Sequence, residues 1–265
     1  MRARLGTERV AQLNLAWSLL GRRKYILLFS HMRSYSTLIG HLVASHPQIS
    51  GYAEQHQSYR TFADLTSLRV GVWKVSDYSL RGDFVFDKVL QDRLRISDDM
   101  LRRADVIPIY GVREPLSSLR SIVAMGRRTG RSIWTEPDRA SQHLTKRYAE
   151  VRELCGRRDD AAALFTDSLV TDPERTLTDL SRYLGLSSTI RPTYASFPKT
   201  GVGGFGDPMG PISEGRIVAD RPTHDIDIPE SVAERLLDDY RETCAVLVAG
   251  CRTVIGTPRG GVTPH

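Results

Sequence analysis

Short, nearly continuous apolar runs alternate along the chain with segments in which apolar residues recur every three or four positions. The continuous runs, typical of strands buried on both faces of a parallel sheet, are residues 25–29, 106–112 and 161–167. Helical spacing is found in residues 38–43, 116–123 and 177–184. The alternation predicts an α/β fold with a central parallel sheet flanked by helices.

Weaker patterns predict the remaining elements. A short strand is expected near residues 49–52, and two strand-like runs are expected within residues 69–75 and 84–90. Residues 126–146 are basic and irregular, and a last amphipathic helix is expected over residues 229–248.

The chain of 265 residues is long enough for one domain of this kind. We expect a helical extension over residues 1–23, the domain itself over residues 24–250 and a flexible tail over residues 251–265.

The composition limits the kinds of ligand and partner that we expect the protein to bind. A net charge of +6 fits an anionic small ligand or an acidic substrate, and without a basic stripe interleaved with aromatic residues it does not favour nucleic acid. The 3 cysteines lack metal-site spacing, and their odd number is a poor disulfide framework. No apolar run is long enough to cross a membrane. We therefore expect a cytoplasmic protein with no nucleic-acid partner and no bound metal.

The first candidate site is RSYST, which follows the first strand and opens a helix. Amides at a helix start, the hydroxyls of Ser34, Ser36 and Thr37, and the guanidinium of Arg33 can together bind an anion. A nucleotide-hydrolase loop would need Gly and Lys where Tyr35 and Ser36 stand. The alternative is that Ser34 or Ser36 simply caps the helix.

The second candidate site follows the strand of residues 106–112. Arg113 ends that strand, Pro115 begins a helix, and Ser121 lies eight residues beyond the arginine. Two helical turns bring Ser121 back to the face of the helix start, so the arginine and the hydroxyl can converge on a second anion. The alternative is a surface arginine beside an unrelated helical serine.

The two patterns in this order resemble the sulfotransferases that use 3′-phosphoadenosine 5′-phosphosulfate (PAPS). In that family a [KR]-S-x-[ST]-T turn holds the 5′-phosphosulfate, and a strand ending in R-x7-S holds the 3′-phosphate. The resemblance implies a single domain with the P-loop-like sulfotransferase architecture, similar to bacterial and carbohydrate-type members. It also implies transfer of a sulfuryl group to a hydroxyl of a small molecule, carbohydrate or lipid. Arg33 would then stabilise charge on the leaving phosphate.

Two later segments extend the resemblance. TDSLVTDP is similar to a family motif in which cytosolic members carry an adenine-contacting Tyr at the position of Thr166. KTGVGG resembles the late loop that closes over the 3′-phosphate, which implies nucleotide contacts by Lys199, Thr200 and Gly201.

The acceptor hydroxyl needs a base. The resemblance to carbohydrate-type members favours Glu54, whereas His56 would titrate in a useful range. Asp77 and Asp87 are further alternatives.

If the resemblance holds, Lys88 or Lys74 can assist the oxygen that bridges the sulfuryl group and the leaving phosphate. Two other functions stay open: a metal-dependent, nucleotide kinase-like enzyme and a non-catalytic nucleotide-binding relative. The sequence leaves the acceptor open, and it leaves both a monomer and a homo-oligomer open.

Overall fold

Six parallel strands form one sheet in the order β2-β3-β1-β4-β5-β6. The structure is a computed structural model that describes residues 21–77, 79–200, 211–219 and 224–259. The strands are β1 (Lys24–Phe29), β2 (Ile49–Ser50), β3 (Phe84–Val89), β4 (Val106–Val112), β5 (Ala162–Phe165) and β6 (Thr253–Ile255).

Helices cover both faces of this sheet. In the described residues they are α1 (Ser36–Ala44), α2 (Phe62–Val75), α3 (Asp98–Leu101), α4 (Pro115–Thr129), α5 (Pro137–Arg157), α6 (Ser168–Thr171), α7 (Pro173–Leu184) and α8 (Glu230–Gly250), with short 3₁₀ turns at Ser132–Trp134 and Pro211–Glu214. Among the helices that the structure describes, none is long and apolar enough to span a membrane. The predicted α/β fold with a central parallel sheet is confirmed.

The core has two halves, one on each face of the sheet. Tyr25, Leu27 and Phe29 of β1 pack with α2, α4, α5 and α8, whereas Ile26 and Leu28 pack with α1 and α7. All five side chains are fully buried, which explains why the strand reads as a continuous apolar run.

The strand predicted over residues 69–75 is wrong, because these residues form the end of α2. The buried residues Leu65, Leu68 and Val72 lie three and four positions apart and define a helical face. The helix begins where Asp64 Oδ2 accepts a hydrogen bond from the Thr61 amide at 2.8 Å. Val70 and Val72 alternate with other residues as in a strand, but this pattern does not extend beyond the segment.

Residues 126–146 are more regular than predicted. Helix α4 continues to Thr129 and ends at Gly130, whose φ of 69° is left-handed. Helix α5 then begins with Pro137 at its first position and supplies the buried residues His143 and Arg147 to the interior.

The sheet also extends beyond residue 250. Strand β6 pairs in parallel with β5, so the flexible tail expected from residue 251 is wrong for Thr253–Ile255. Ile255 is fully buried against this edge of the sheet. Residues 1–20 of the expected helical extension and residues 260–265 lie outside the described residues.

Candidate active site

The turn of residues 30–35, between β1 and α1, lies where the strand order reverses. Strand β1 has β3 on one side and β4 on the other. Strands β2 and β3 lie on one side of β1, and the later strands β4, β5 and β6 lie on the other. In open parallel sheets, ligands bind at the carboxyl ends of strands at such a switch point. We call residues 30–35 the donor turn.

The donor turn has an unusual backbone. Arg33 and Tyr35 have φ angles of 63° and 60°, which are left-handed values that cost non-glycine residues about 1–3 kcal/mol each. Within the described residues, no side chain caps the start of α1. The amides of Ser36 and Thr37 belong to the first turn of that helix, where amides lack helical partners and favour anions.

The hydroxyl of Ser34 fixes the turn from inside. Ser34 is fully buried, its Oγ lies 2.8 Å from Ser30 Oγ, and it donates to the carbonyl of His31 at 2.7 Å. Ser34 therefore shapes the donor turn and neither caps α1 nor presents its hydroxyl to solvent.

The two candidate anion sites meet. Arg33 Nε donates to Ser121 Oγ at 2.8 Å. Arg113 Nη1 donates to the Arg33 carbonyl at 2.8 Å, and its Nη2 donates to the Tyr35 hydroxyl at 3.0 Å. The strand end at Arg113 and the donor turn thus form one continuous arginine-rich site.

Asp167, which the sequence reasoning missed, orients Arg113. Its Oδ1 lies 3.5 Å from Arg113 Nε, and its Oδ2 accepts from the Glu114 amide at 2.8 Å. The guanidinium carbon of Arg113 lies 3.9 Å from the centre of the Tyr35 ring. Arg113 is thereby held between a carboxylate and an aromatic face.

Thr166 lies next to this pair but does not reach the surface. It is fully buried, and both its amide and its hydroxyl donate to the carbonyl of Val112. Thr166 therefore offers no exposed area to an adenine, so its predicted nucleotide contact has no support in this geometry.

The predicted late loop attaches to an aromatic cluster. The Lys199 amide donates to the Tyr52 hydroxyl at 2.9 Å, and Thr200 Oγ1 lies 2.9 Å from His41 Nε2. The Tyr52 ring stacks on Phe197 at 4.5 Å. Gly201 lies outside the described residues.

The leading base candidates lie side by side. Glu54 Oε1 is 3.1 Å from His56 Nδ1 and 3.3 Å from Gln91 Nε2. The side chain of Glu54 is 12% exposed and that of His56 is 39% exposed. Glu54 is therefore the more buried of the two candidate bases. Gln91 contacts both residues.

Asp87 serves as an anchor for this segment. It is fully buried on β3 and accepts hydrogen bonds from the Gln55 amide at 2.9 Å and from the Tyr59 hydroxyl. Burial raises its pKa to about 7. Because both carboxyl oxygens are engaged inside the protein, Asp87 cannot approach a substrate.

Lys88 follows Asp87 on β3 and points to the opposite face. Its side chain is 2% exposed, and burial lowers its pKa although Glu54 and Asp87 oppose that shift. Lys74 and Asp77 are instead exposed at the end of α2, where Asp77 acts electrostatically on Tyr52.

Arg147 is the largest fully buried side chain in the described part of the chain, and the sequence reasoning missed it. Its guanidinium donates to the carbonyls of Ser30 at 2.8 Å, Val89 at 2.7 Å and Gln91 at 3.3 Å, and it pairs with Glu150 at 2.7 Å. These carbonyls lie at or just beyond the ends of β1 and β3, so one arginine ties these two neighbouring strands together. Arg147 directly follows the basic run of residues 126–146, and no local pattern indicated this role.

No family model and no curated protein sequence matches the chain. The solved structures that resemble it include two sulfotransferase domains. The sulfotransferase domain from the curacin biosynthetic pathway is 18% identical, with a TM-score of 0.56 over 82% of this chain and 97% of that domain. The sulfotransferase domain from the Synechococcus PCC 7002 olefin synthase is 15% identical, with a TM-score of 0.54 over 83% of this chain and 96% of that domain. The expected sulfotransferase fold is therefore confirmed. Within the described residues, no three His, Cys, Asp or Glu side chains group to hold a metal ion.

Proposed function

We propose that the protein is a PAPS-dependent sulfotransferase that sulfates a hydroxyl of a small-molecule, carbohydrate or lipid acceptor. One observation carries this proposal: Arg33 of the donor turn contacts Ser121, and Arg113 contacts the donor turn. The two arginines can then hold the two phosphorylated ends of one nucleotide. The fold shared with two sulfotransferase domains agrees with this function.

The donor half of the reaction depends on positioning and charge. PAPS, when bound, supplies an activated sulfuryl group. The amides at the start of α1 and the guanidinium of Arg33 bind and neutralise the 5′-phosphate end. Arg113 and Ser121 bind the 3′-phosphate, which AMP and ATP lack.

The acceptor half uses Glu54 and Lys88. Glu54 Oε1 or Oε2 accepts the proton of the acceptor hydroxyl, and His56 with Gln91 fixes the carboxylate. Lys88 offers a positive charge in a poorly solvated position, where electrostatic stabilisation is strongest.

The first test is a thermal-shift comparison of 3′-phosphoadenosine 5′-phosphate (PAP), AMP and ATP, each with and without magnesium. At about 100 times its dissociation constant, PAP should stabilise the protein by about 2.7 kcal/mol, or roughly 5–10 °C. AMP should give a smaller shift, and magnesium should not matter.

Arg113→Ala sharpens this test. The variant should lose most of the preference for PAP over AMP, and the ratio of affinities cancels any general loss of stability. The exposed Arg182→Ala serves as the control and should keep the preference. A shift with ATP and magnesium alone would favour the kinase reading over ours.

A further inference from the structure

Two imidazoles hold Met32, the residue that precedes Arg33 in the donor turn. The Met32 amide donates to His143 Nε2 at 3.1 Å, and His31 Nδ1 lies 2.8 Å from the Met32 carbonyl. The other nitrogen of His31 accepts from the Arg113 amide at 3.2 Å. Both the amide and the carbonyl of the residue before Arg33 are therefore hydrogen-bonded to imidazole rings.

The contact from His143 requires one particular tautomer. Its Nδ1 lies 2.5 Å from Asp92 Oδ1, and since an ionised carboxylate only accepts, Nδ1 carries the hydrogen. Nε2 is then free to accept from Met32. Burial opposes ionisation of Asp92, but the hydrogen bond from His143 and the charges of Arg147 and Lys146 hold its pKa below the usual range.

Burial of His143 limits what it can do. The residue is 3% exposed, and the Trp134 ring meets its edge with centroids 5.6 Å apart. Both ring nitrogens are already engaged, by Asp92 and by Met32. A ring in this state can orient the backbone but has no free nitrogen for a substrate.

We infer that His143 is a positioning residue that sets the geometry of the donor turn, with Asp92 fixing its tautomer. The inference rests on the proposed function, because the turn matters to catalysis only if it binds the sulfuryl donor. Helix α5 thus supports the donor site twice, through His143 at the turn and through Arg147 at the preceding strand end.

The test compares His143→Leu with His143→Gln, because a glutamine side chain can place an amide oxygen near the position of Nε2. Hydrogen exchange at the Met32 amide is measured in the unliganded protein, and PAP affinity is measured by calorimetry. We expect exchange in the leucine variant to be about tenfold faster and PAP binding about tenfold weaker, which equals about 1.4 kcal/mol. The glutamine variant should stay near the parent in both.

Asp92→Leu tests the tautomer. Nitrogen NMR of the His143 ring should report an Nδ1–H form in the parent and a mixture in this variant, together with faster Met32 exchange. The exposed Asp238→Leu should change neither signal.

The outcomes separate the two ideas. Unchanged Met32 exchange in the leucine variant would overturn the positioning role. So would a glutamine variant that binds PAP and protects Met32 normally but has lost transfer, because His143 would then act on the reacting atoms. If the parent does not bind PAP, the proposed function fails, while the exchange data still decide the role of His143.

Discussion

The donor turn and the segment that carries Glu54 both follow the carboxyl ends of strands. The first is anchored by imidazole rings and the second by a carboxyl group. The donor turn is held by imidazole rings on either side of Met32. The segment of residues 54–59, which we call the base segment, is held by Asp87 through the Gln55 amide and the Tyr59 hydroxyl.

These anchors respond differently to pH. Burial lowers the pKa of His31 to about 3, so its accepting nitrogen stays unprotonated at neutral pH. Burial instead raises the pKa of Asp87 to about 7, so this anchor changes charge near neutrality. The donor turn therefore rests on an imidazole that keeps its protonation state near neutral pH, while the base segment rests on a carboxyl group that titrates there.

Glu54→Gln should separate the two regions most clearly. Loss of the base is expected to lower the rate of transfer by about 10²–10⁴-fold, because general base catalysis contributes that much. PAP affinity should stay unchanged, since Glu54 contacts His56 and Gln91 and belongs to the acceptor half of the proposed reaction. Single-turnover transfer and calorimetry measure the two quantities.

The exposed Glu153→Gln, on α5, is the matched control and should keep full activity. Full activity of Glu54→Gln would transfer the role of base to His56.

Arg147→Met should affect both regions at once and lower the free energy of unfolding. It leaves three carbonyls and the carboxylate of Glu150 without their buried partner, which costs about 3–5 kcal/mol of unfolding free energy. Urea denaturation measures the loss. Arg241→Met, which removes an exposed pair with Asp238, should cost less than about 1 kcal/mol. Equal losses in both variants would mean that Arg147 does not tie the strands.

Asp87→Asn sharpens the difference in pH response. The pKa of this carboxyl is raised on folding, so its contribution to stability is fully present below the unfolded pKa of about 4 and is lost as pH rises toward 7. The parent should therefore lose up to about 1.4 kcal/mol per pH unit, relative to the variant, across that window. Urea unfolding at pH 5 and pH 7 measures the slope. Parallel curves for the two proteins would show that Asp87 does not titrate in this range.

Local pattern was enough where a residue's neighbours in sequence are also its neighbours in space. The buried strand of residues 25–29 is of this kind. The convergence of Arg113 and Ser121 on one anion stays a prediction, because the Ser121 hydroxyl accepts a hydrogen bond from Arg33, 88 residues away. The same reasoning failed over residues 69–75, because alternating valines fit a strand locally while Leu65 and Leu68 complete a helical face.

Contacts between distant segments could not be read in this way. Asp92 and His143 are 51 residues apart, Arg147 and Ser30 are 117 apart, and no local spacing marks either pair. Gln55 and Asp87 are 32 apart, and only the pairing of β2 with β3 brings them together.

The sequence by itself determined the parallel α/β fold and the two arginine motifs at strand ends, because hydrophobic periodicity and turn chemistry are local properties. Only the tertiary structure decided that Arg33 contacts Ser121, that Asp87 is an anchor, and that His143 and Arg147 bind the backbone of residues 30–35. Those roles depend on burial and on distances between segments remote in the chain, and burial is what fixes the protonation and the hydrogen-bond partners of each group.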